Sequence, residues 1–268
     1  MRREWPLMRY GEAHAFSLVE LSIVLVILGL LTGGILAGQS LIRASELRAV
    51  TTESQTYATG LQTFRDKYFA VPGDFNNAIA FWGAAHATPA TCLTTASTNG
   101  TTCNGNGDGI VLAGGNEVFR LWQHMASAGL ATGSYNGLRG TVSTSDTDIG
   151  INVPASRLSN AGHAILTFNN MGSGAIFQGD FGLSLFIGAD SNTSFTSEAI
   201  LKPEEMWNID TKLDDGLPGR GKVMATHTGG SGFNNVAACS TTTANTDFDG
   251  VYRLTQTGIK CGIIYRLH

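Results

Sequence analysis

The chain has 268 residues, a formal net charge of −4 and only 14% charged residues. That length holds one substantial domain or two small ones, and the sparse, slightly acidic charge excludes a basic nucleic-acid-binding face. Much of the 43% apolar content is concentrated in residues 16–42, and 34 glycines with long Thr/Ser/Asn stretches mark the remainder as loop-rich.

The chain opens on a short polar leader that carries Arg2, Arg3 and Arg9, diluted by Glu4 and Glu12. Leu21 to Ile42 then runs without a charge, longer than the roughly 20 apolar residues a helix needs to cross a bilayer. It is too long for the core of an ordinary secretory signal, and no A-x-A cleavage pattern follows it. The leading arginines favour a cytoplasmic N-terminus, with residues beyond about 43 on the outer side. Glu20 stands at the start of the run, where an unpartnered carboxylate costs on the order of 2.5–3.5 kcal/mol.

Phe16-Ser17-Leu18-Val19-Glu20, continued by LSIVLVILGLL, resembles the cleavage and methylation motif of type IV prepilins and type II secretion pseudopilins. The resemblance implies that prepilin peptidase, a membrane aspartyl enzyme, cuts the Ala15–Phe16 bond and N-methylates Phe16. Glu20 is then the fifth mature residue; the family usually carries Gly where Ala15 stands. It implies as partners the inner membrane, other pilin or pseudopilin subunits and their assembly machinery. Glu20 of one subunit would pair with the Phe16 amine of a neighbour. Residues 1–15 are then a leader, 16–42 a transmembrane and filament-core helix, and 43–268 a periplasmic or extracellular domain with no catalytic role. The alternative is a membrane-tethered binding or hydrolytic domain that uses the segment only as an anchor.

Beyond the apolar run, Leu47, Val50, Ser54, Tyr57, Leu61, Phe64 and Tyr68 recur every three or four residues. That spacing marks one face of a helix for packing, and Pro72-Gly73 ends it. A single helix from Phe16 to about Phe69 is expected. Gly29, Gly33, Gly34 and Gly38 lower its propensity, and would permit local melting or close packing on assembly.

DFNNAIAFW reads as a short helix capped by Asp74, and EVFRLWQHMASA as a second one capped by Asn116 and stopped by Gly129. Residues 134–157 lack periodicity. HAILTFNN and AIFQGDFGLSLFIGA predict a hairpin, PEEMWNIDTKL a helix opened by Pro203, and KVMAT, VYRLT and IKCGIIYRL further strands. The expected class is α+β: a long N-terminal helix packed on an antiparallel sheet, pilin-like in view of the resemblance. VPGDFNNAIAFWG, NGNGDGI and IDTKLDDGLPGRGKV also resemble stretches of large prepilin-type proteins.

Four cysteines, Cys92, Cys103, Cys239 and Cys261, form no CxxC pair and allow three pairings. Loop-closure entropy favours the local ones, Cys92–Cys103 and Cys239–Cys261, with four free thiols as the alternative. Asn104-Gly-Asn106-Gly-Asp108-Gly109 sets oxygen-bearing side chains at alternate positions, like the first half of a calcium loop. Its twelfth position is Gly115, with Glu117 two residues further on; a metal-free turn is the competing reading. Gly216-Leu-Pro-Gly-Arg-Gly221-Lys222 is followed by Val223, which lacks the hydroxyl of a phosphate-binding loop. His86, His124, His163 and His227 are scattered without HExxH spacing, and His124 reads as a packing or surface residue. Nothing in these patterns proposes an enzyme.

Overall fold

The computed structural model describes residues 17–97, 100–112, 116–169, 177–190, 195–227 and 239–267. The chain divides into two compact units, with the boundary between Ser45 and Glu46. Helix α1, Leu18–Tyr68, runs through that boundary, and its two halves are described separately.

In the first unit the large apolar side chains of α1, from Leu18 to Ile42, are all more than half exposed. An 18-residue window here has a mean hydropathy of 2.4 and none of it is buried. By length and composition this stretch is able to cross a membrane; an aqueous surface does not tolerate so continuous an apolar patch. Phe16 and Ala15 lie outside the described residues.

In the second unit the expected stripe folds inward. Val50, Ser54, Leu61 and Phe64 are fully buried, and Leu47, Tyr57 and Tyr68 pack at the edge of the core. Ser54 is tolerated there because its hydroxyl donates to the Val50 carbonyl at 2.9 Å. The helix ends where Phe69 turns left-handed (φ 53°).

Two short helices follow, α2 (Ala78–Trp82) and α3 (Pro89–Cys92), then α4 (Glu117–Ser127) and α5 (Pro203–Leu213). The strands are β1 (Gly162–Phe168), β2 (Gly182–Gly188), β3 (Val223–His227) and β4 (Cys261–Arg266). They form one antiparallel sheet in the order β1-β2-β4-β3. The β1–β2 hairpin pairs Gly162 with Gly188 and Phe168 with Gly182. Successive residues of β1 are all buried, so the sheet is covered on both faces and its strands lack a strict polar alternation.

Three expectations need correction. VYRLT is not a strand; only the isolated bridge Ser240↔Tyr252 forms there. The short helix begins after Asn77 rather than Asp74, because the Asp74 carboxylate is taken by a different segment, described below. The second half of α1 reaches β1 through Tyr57 and Glu53, but most of its stripe meets α4 and the 75–82 segment. Phe64 lies among Phe75, Trp82 and His124, and Tyr57 sets its ring edge against Trp122 at 4.8 Å.

Both local cysteine pairs are disulfides. Cys92–Cys103 spans 5.8 Å between Cα atoms and Cys239–Cys261 spans 5.1 Å, inside the range a disulfide requires. The first closes the loop over α4; the second fastens the start of β4.

Candidate functional site

Ser17 and Glu20 shape the start of α1. The first amides of a helix lack intrahelical acceptors, and Ser-x-x-Glu supplies two. Val19 N–H donates to Ser17 Oγ at 3.2 Å, and Ser17 N–H donates to Glu20 Oε2 at 2.8 Å. Glu20 therefore has a partner inside its own chain, in addition to any that assembly provides. Two oxygens offer about four acceptor positions, so capping does not preclude a second, charged donor. The sequence carries this signal openly, since Ser17-Leu-Val-Glu20 is a capping box, yet the cost of a carboxylate in an apolar run drew attention elsewhere. A Cβ placed on Gly29, Gly33, Gly34 or Gly38 would meet no atom within 4 Å. These glycines leave two four-residue small-xxx-small spacings bare, a pattern that permits close helix contact.

Farther along α1, Glu53 accepts the Ser156 hydroxyl (2.6 Å) and the Arg157 N–H (3.0 Å). His163 Nε2 of β1 lies 3.3 Å from its Oε2, within ion-pair distance but without hydrogen-bond geometry. Burial alone would raise the Glu53 pKa; contacts with His163, Ser156 and Arg157 outweigh it and hold the carboxyl below its usual value. Serine, carboxylate and histidine thus meet in one place, but the carboxylate stands between the other two. A hydroxyl bound to the carboxylate is not activated by the imidazole, and the cluster acts as a clamp between helix and sheet.

The polar face of α4 is buried, which sequence reasoning missed. Glu117, Arg120, Gln123 and His124 share one side of the helix, and the disulfide-closed loop covers them. Gly73 N–H donates to His124 Nδ1 at 2.9 Å, so the ring proton sits on Nε2 and points to Thr102 Oγ1 at 3.0 Å. Thr102 donates onward to Gln123 Oε1 (2.7 Å), and Gln123 Nε2 donates to Ser97 Oγ (2.8 Å) and the Ser97 carbonyl (2.6 Å). Arg120 reaches the Cys92 carbonyl at 2.9 Å. Burial, helped by the Arg120 charge, pushes the His124 pKa down to about 3 against the pull of the Cys103 carbonyl. Burial likewise lowers Arg120 to about 10. His124 is a neutral structural relay: its Nε2–H donates to the Thr102 hydroxyl, which donates onward to Gln123, so the imidazole does not act as a base toward Thr102.

Two groups of acidic side chains bear on metal binding. The sequence candidates Asn104, Asn106 and Asp108 lie in the first, beside Asp74 and Glu117. Asn104 Oδ1 accepts Ile79 N–H, Asn106 Oδ1 accepts Asp108 N–H, and Asp108 Oδ1 accepts Ile110 N–H, at 2.8–2.9 Å. Gly107 and Gly109 adopt left-handed φ angles of 77° and 85°, so successive amides turn inward as an anion-binding nest. Its anion is the Asp74 carboxylate, which receives the N–H groups of Gly107, Asp108 and Gly109 at 2.6, 3.1 and 2.8 Å. Glu117 accepts the Asn106 and Leu112 amides, each at 3.3 Å. Burial, then Asp74 and Asp108, raise its pKa against those two bonds. Gly115 lies outside the described residues.

The second group, Asp210, Asp214 and Asp215, brings one oxygen from each within 4.8 Å of the others and is able to hold a cation. Its carboxylates are also supplied with donors: Tyr252 hydroxyl (2.7 Å) and Gly216 N–H (3.2 Å) on Asp210, Lys222 and Val223 amides on Asp214, Leu217 N–H on Asp215. Burial and the neighbouring aspartates push Asp210 up to about 7 despite those bonds. Elsewhere, burial first, then the charges of Asp146 and Asp190, raise the Asp148 pKa.

Comparisons of the chain with protein-family models, with curated proteins and with solved structures found no match.

Proposed function

We propose that the chain is a structural subunit of a type IV pilus-like or type II secretion pseudopilus filament. It is processed before Phe16 by prepilin peptidase, held in the inner membrane by the first half of α1, and assembled through that helix. The second unit then lies in the periplasm or on the filament surface and carries no catalytic role. The observation that carries this reading is the conjunction of FSLVE with a long apolar helix whose large side chains are exposed among the described residues. A simple anchor needs the helix but not Phe16 at its start or a carboxylate four residues later.

The Ser17–Glu20 cap adds a physical step. Before assembly Glu20 is satisfied by a neutral backbone amide. Cleavage supplies a cation at Phe16, and a charge-assisted hydrogen bond is about twice as strong as a neutral one. Assembly would add that bond between subunits without dismantling the cap.

Mass spectrometry of the mature N-terminus tests the proposal directly. The expected species begins with N-methylated Phe16, and an intact Met1 in membranes that contain an active prepilin peptidase overturns it.

A further inference from the structure

A cavity of about 370 Å³ opens between the second half of α1, the turn that follows α4 and the segment around Arg157. That volume lies within the range of small-ligand sites. Two of its lining residues, Glu53 and Arg157, carry opposite charges. Only the backbone N–H of Arg157 meets Glu53; among the described residues the two side chains form no ion pair.

The hydrogen bonds already made around the cavity decide what it still accepts. Glu53 is held ionised despite its partial burial. Its two oxygens offer about four acceptor positions. The Ser156 hydroxyl and the Arg157 N–H take two of them, and His163 lacks the geometry to take a third. Thr52 and Thr56 share this wall. Their hydroxyl protons are spent on the Arg48 and Thr52 carbonyls, at 3.3 and 2.8 Å, which leaves oxygen lone pairs. On the turn after α4, the amides of Gly129, Leu130 and Ala131 are spent on the Ala126 and Met125 carbonyls. The wall is therefore negative and richer in acceptors than in free donors, which suits a ligand that brings its own charged N–H groups. Arg157 is exposed and supplies the opposite chemistry, a guanidinium able to grip a carboxylate with two parallel bonds. Ala49, Tyr57, Leu130 and Ala131 add apolar surface to the same cavity.

We propose that this cavity binds a small zwitterion of the α-amino acid class with an aliphatic side chain, its ammonium on Glu53 and its carboxylate on Arg157. A plain amine leaves the guanidinium unmatched, and a plain carboxylate meets Glu53 with like charge.

The test is equilibrium dialysis of isotopically labelled L-leucine against the full chain in detergent. Labelled 3-methylbutylamine and 4-methylpentanoate, which each lack one of the two charges, are dialysed separately. One saturable leucine site is expected, with a dissociation constant of about 10⁻⁴–10⁻³ M for so small a ligand. Each analogue should bind at least ~10-fold more weakly, since each forfeits a charge-assisted contact. Arg157→Gln keeps its backbone bond to Glu53 and should melt with the parent chain. It should weaken leucine at least ~10-fold and leave 3-methylbutylamine unchanged. Glu53→Gln, which keeps acceptors for Ser156 and Arg157, should weaken leucine and 3-methylbutylamine alike. The proposal is overturned if the parent chain shows no saturable leucine binding, or if either analogue binds as tightly as leucine. It is equally overturned if Arg157→Gln or a folded Glu53→Gln retains the parent affinity for leucine.

Discussion

The two halves of helix α1 have the same backbone and opposite surroundings. In the first half four glycines face open space, and among the described residues the carboxylate of Glu20 accepts an amide of its own helix start. In the second half a Cβ on Gly60 would stand 2.9 Å from Met125 and 3.2 Å from the Leu130 carbonyl, and Glu53 is held by groups more than a hundred residues away. The second half is therefore finished by its own chain. The first half exposes apolar surface, bare glycines and a carboxylate with spare acceptor positions, which is what a helix completed by other molecules leaves open.

This contrast is sharpest for core removal. Phe64→Ala deletes a fully buried ring from the aromatic cluster of Phe75, Trp82 and His124 and should cost about 3–5 kcal/mol. At 2–4 °C per kcal/mol for a unit of this size, thermal melting of the full chain in detergent should fall by roughly 6–20 °C. Leu28→Ala, on the exposed stretch, should leave the same transition unchanged. Comparable losses from the two substitutions would mean that the halves are not energetically distinct.

The second unit also has a pH dependence of its own. His124 is held at about 3 when folded and returns to about 6.5 when unfolded. Above pH 6.5 both states are neutral and the relay is intact. As pH falls toward 3 the unfolded chain takes up a proton that the folded chain refuses, so stability drops by up to about 1.4 kcal/mol per pH unit. Asp210 acts in the opposite sense: its raised pKa favours the folded state at low pH and the benefit fades as pH rises to about 7. Urea midpoints measured between pH 7 and 4 should decline more steeply in Asp210→Asn than in the parent chain, and less steeply in His124→Gln.

His124 also shows where the sequence stopped being legible. The stripe on α1, the β1–β2 hairpin, α5 and the local disulfide pairing follow from local periodicity, turn chemistry and loop closure, all written in neighbouring residues. Nothing local to Glu117, Arg120, Gln123 and His124 marks the polar face of α4 as an interior. Only the loop returning over it, fixed by Cys92–Cys103, makes that face an interior. The glycine-alternating loop is ambiguous for a related reason. Glycine at each second position serves left-handed backbone for a nest just as well as it spaces oxygens for calcium, and the nest's anion, Asp74, lies some thirty residues away.

The smallest effect on folding should accompany the largest effect on assembly. Glu53→Gln retains acceptors for Ser156 and Arg157 but loses the charge facing His163. The pair is largely buried, so a loss of about 1–2 kcal/mol is expected, visible as a lower melting temperature. Glu20→Gln retains the cap on Ser17, so the melting transition should not move. Only the charge that would meet the Phe16 amine is removed. Cross-linking of subunits and recovery of sheared filaments should therefore fall sharply in Glu20→Gln and stay near the parent level in Glu53→Gln. Filaments of normal yield from Glu20→Gln would leave the capping box as the whole reason for the carboxylate, and the apolar helix would then need a different account of how it is joined to its neighbours.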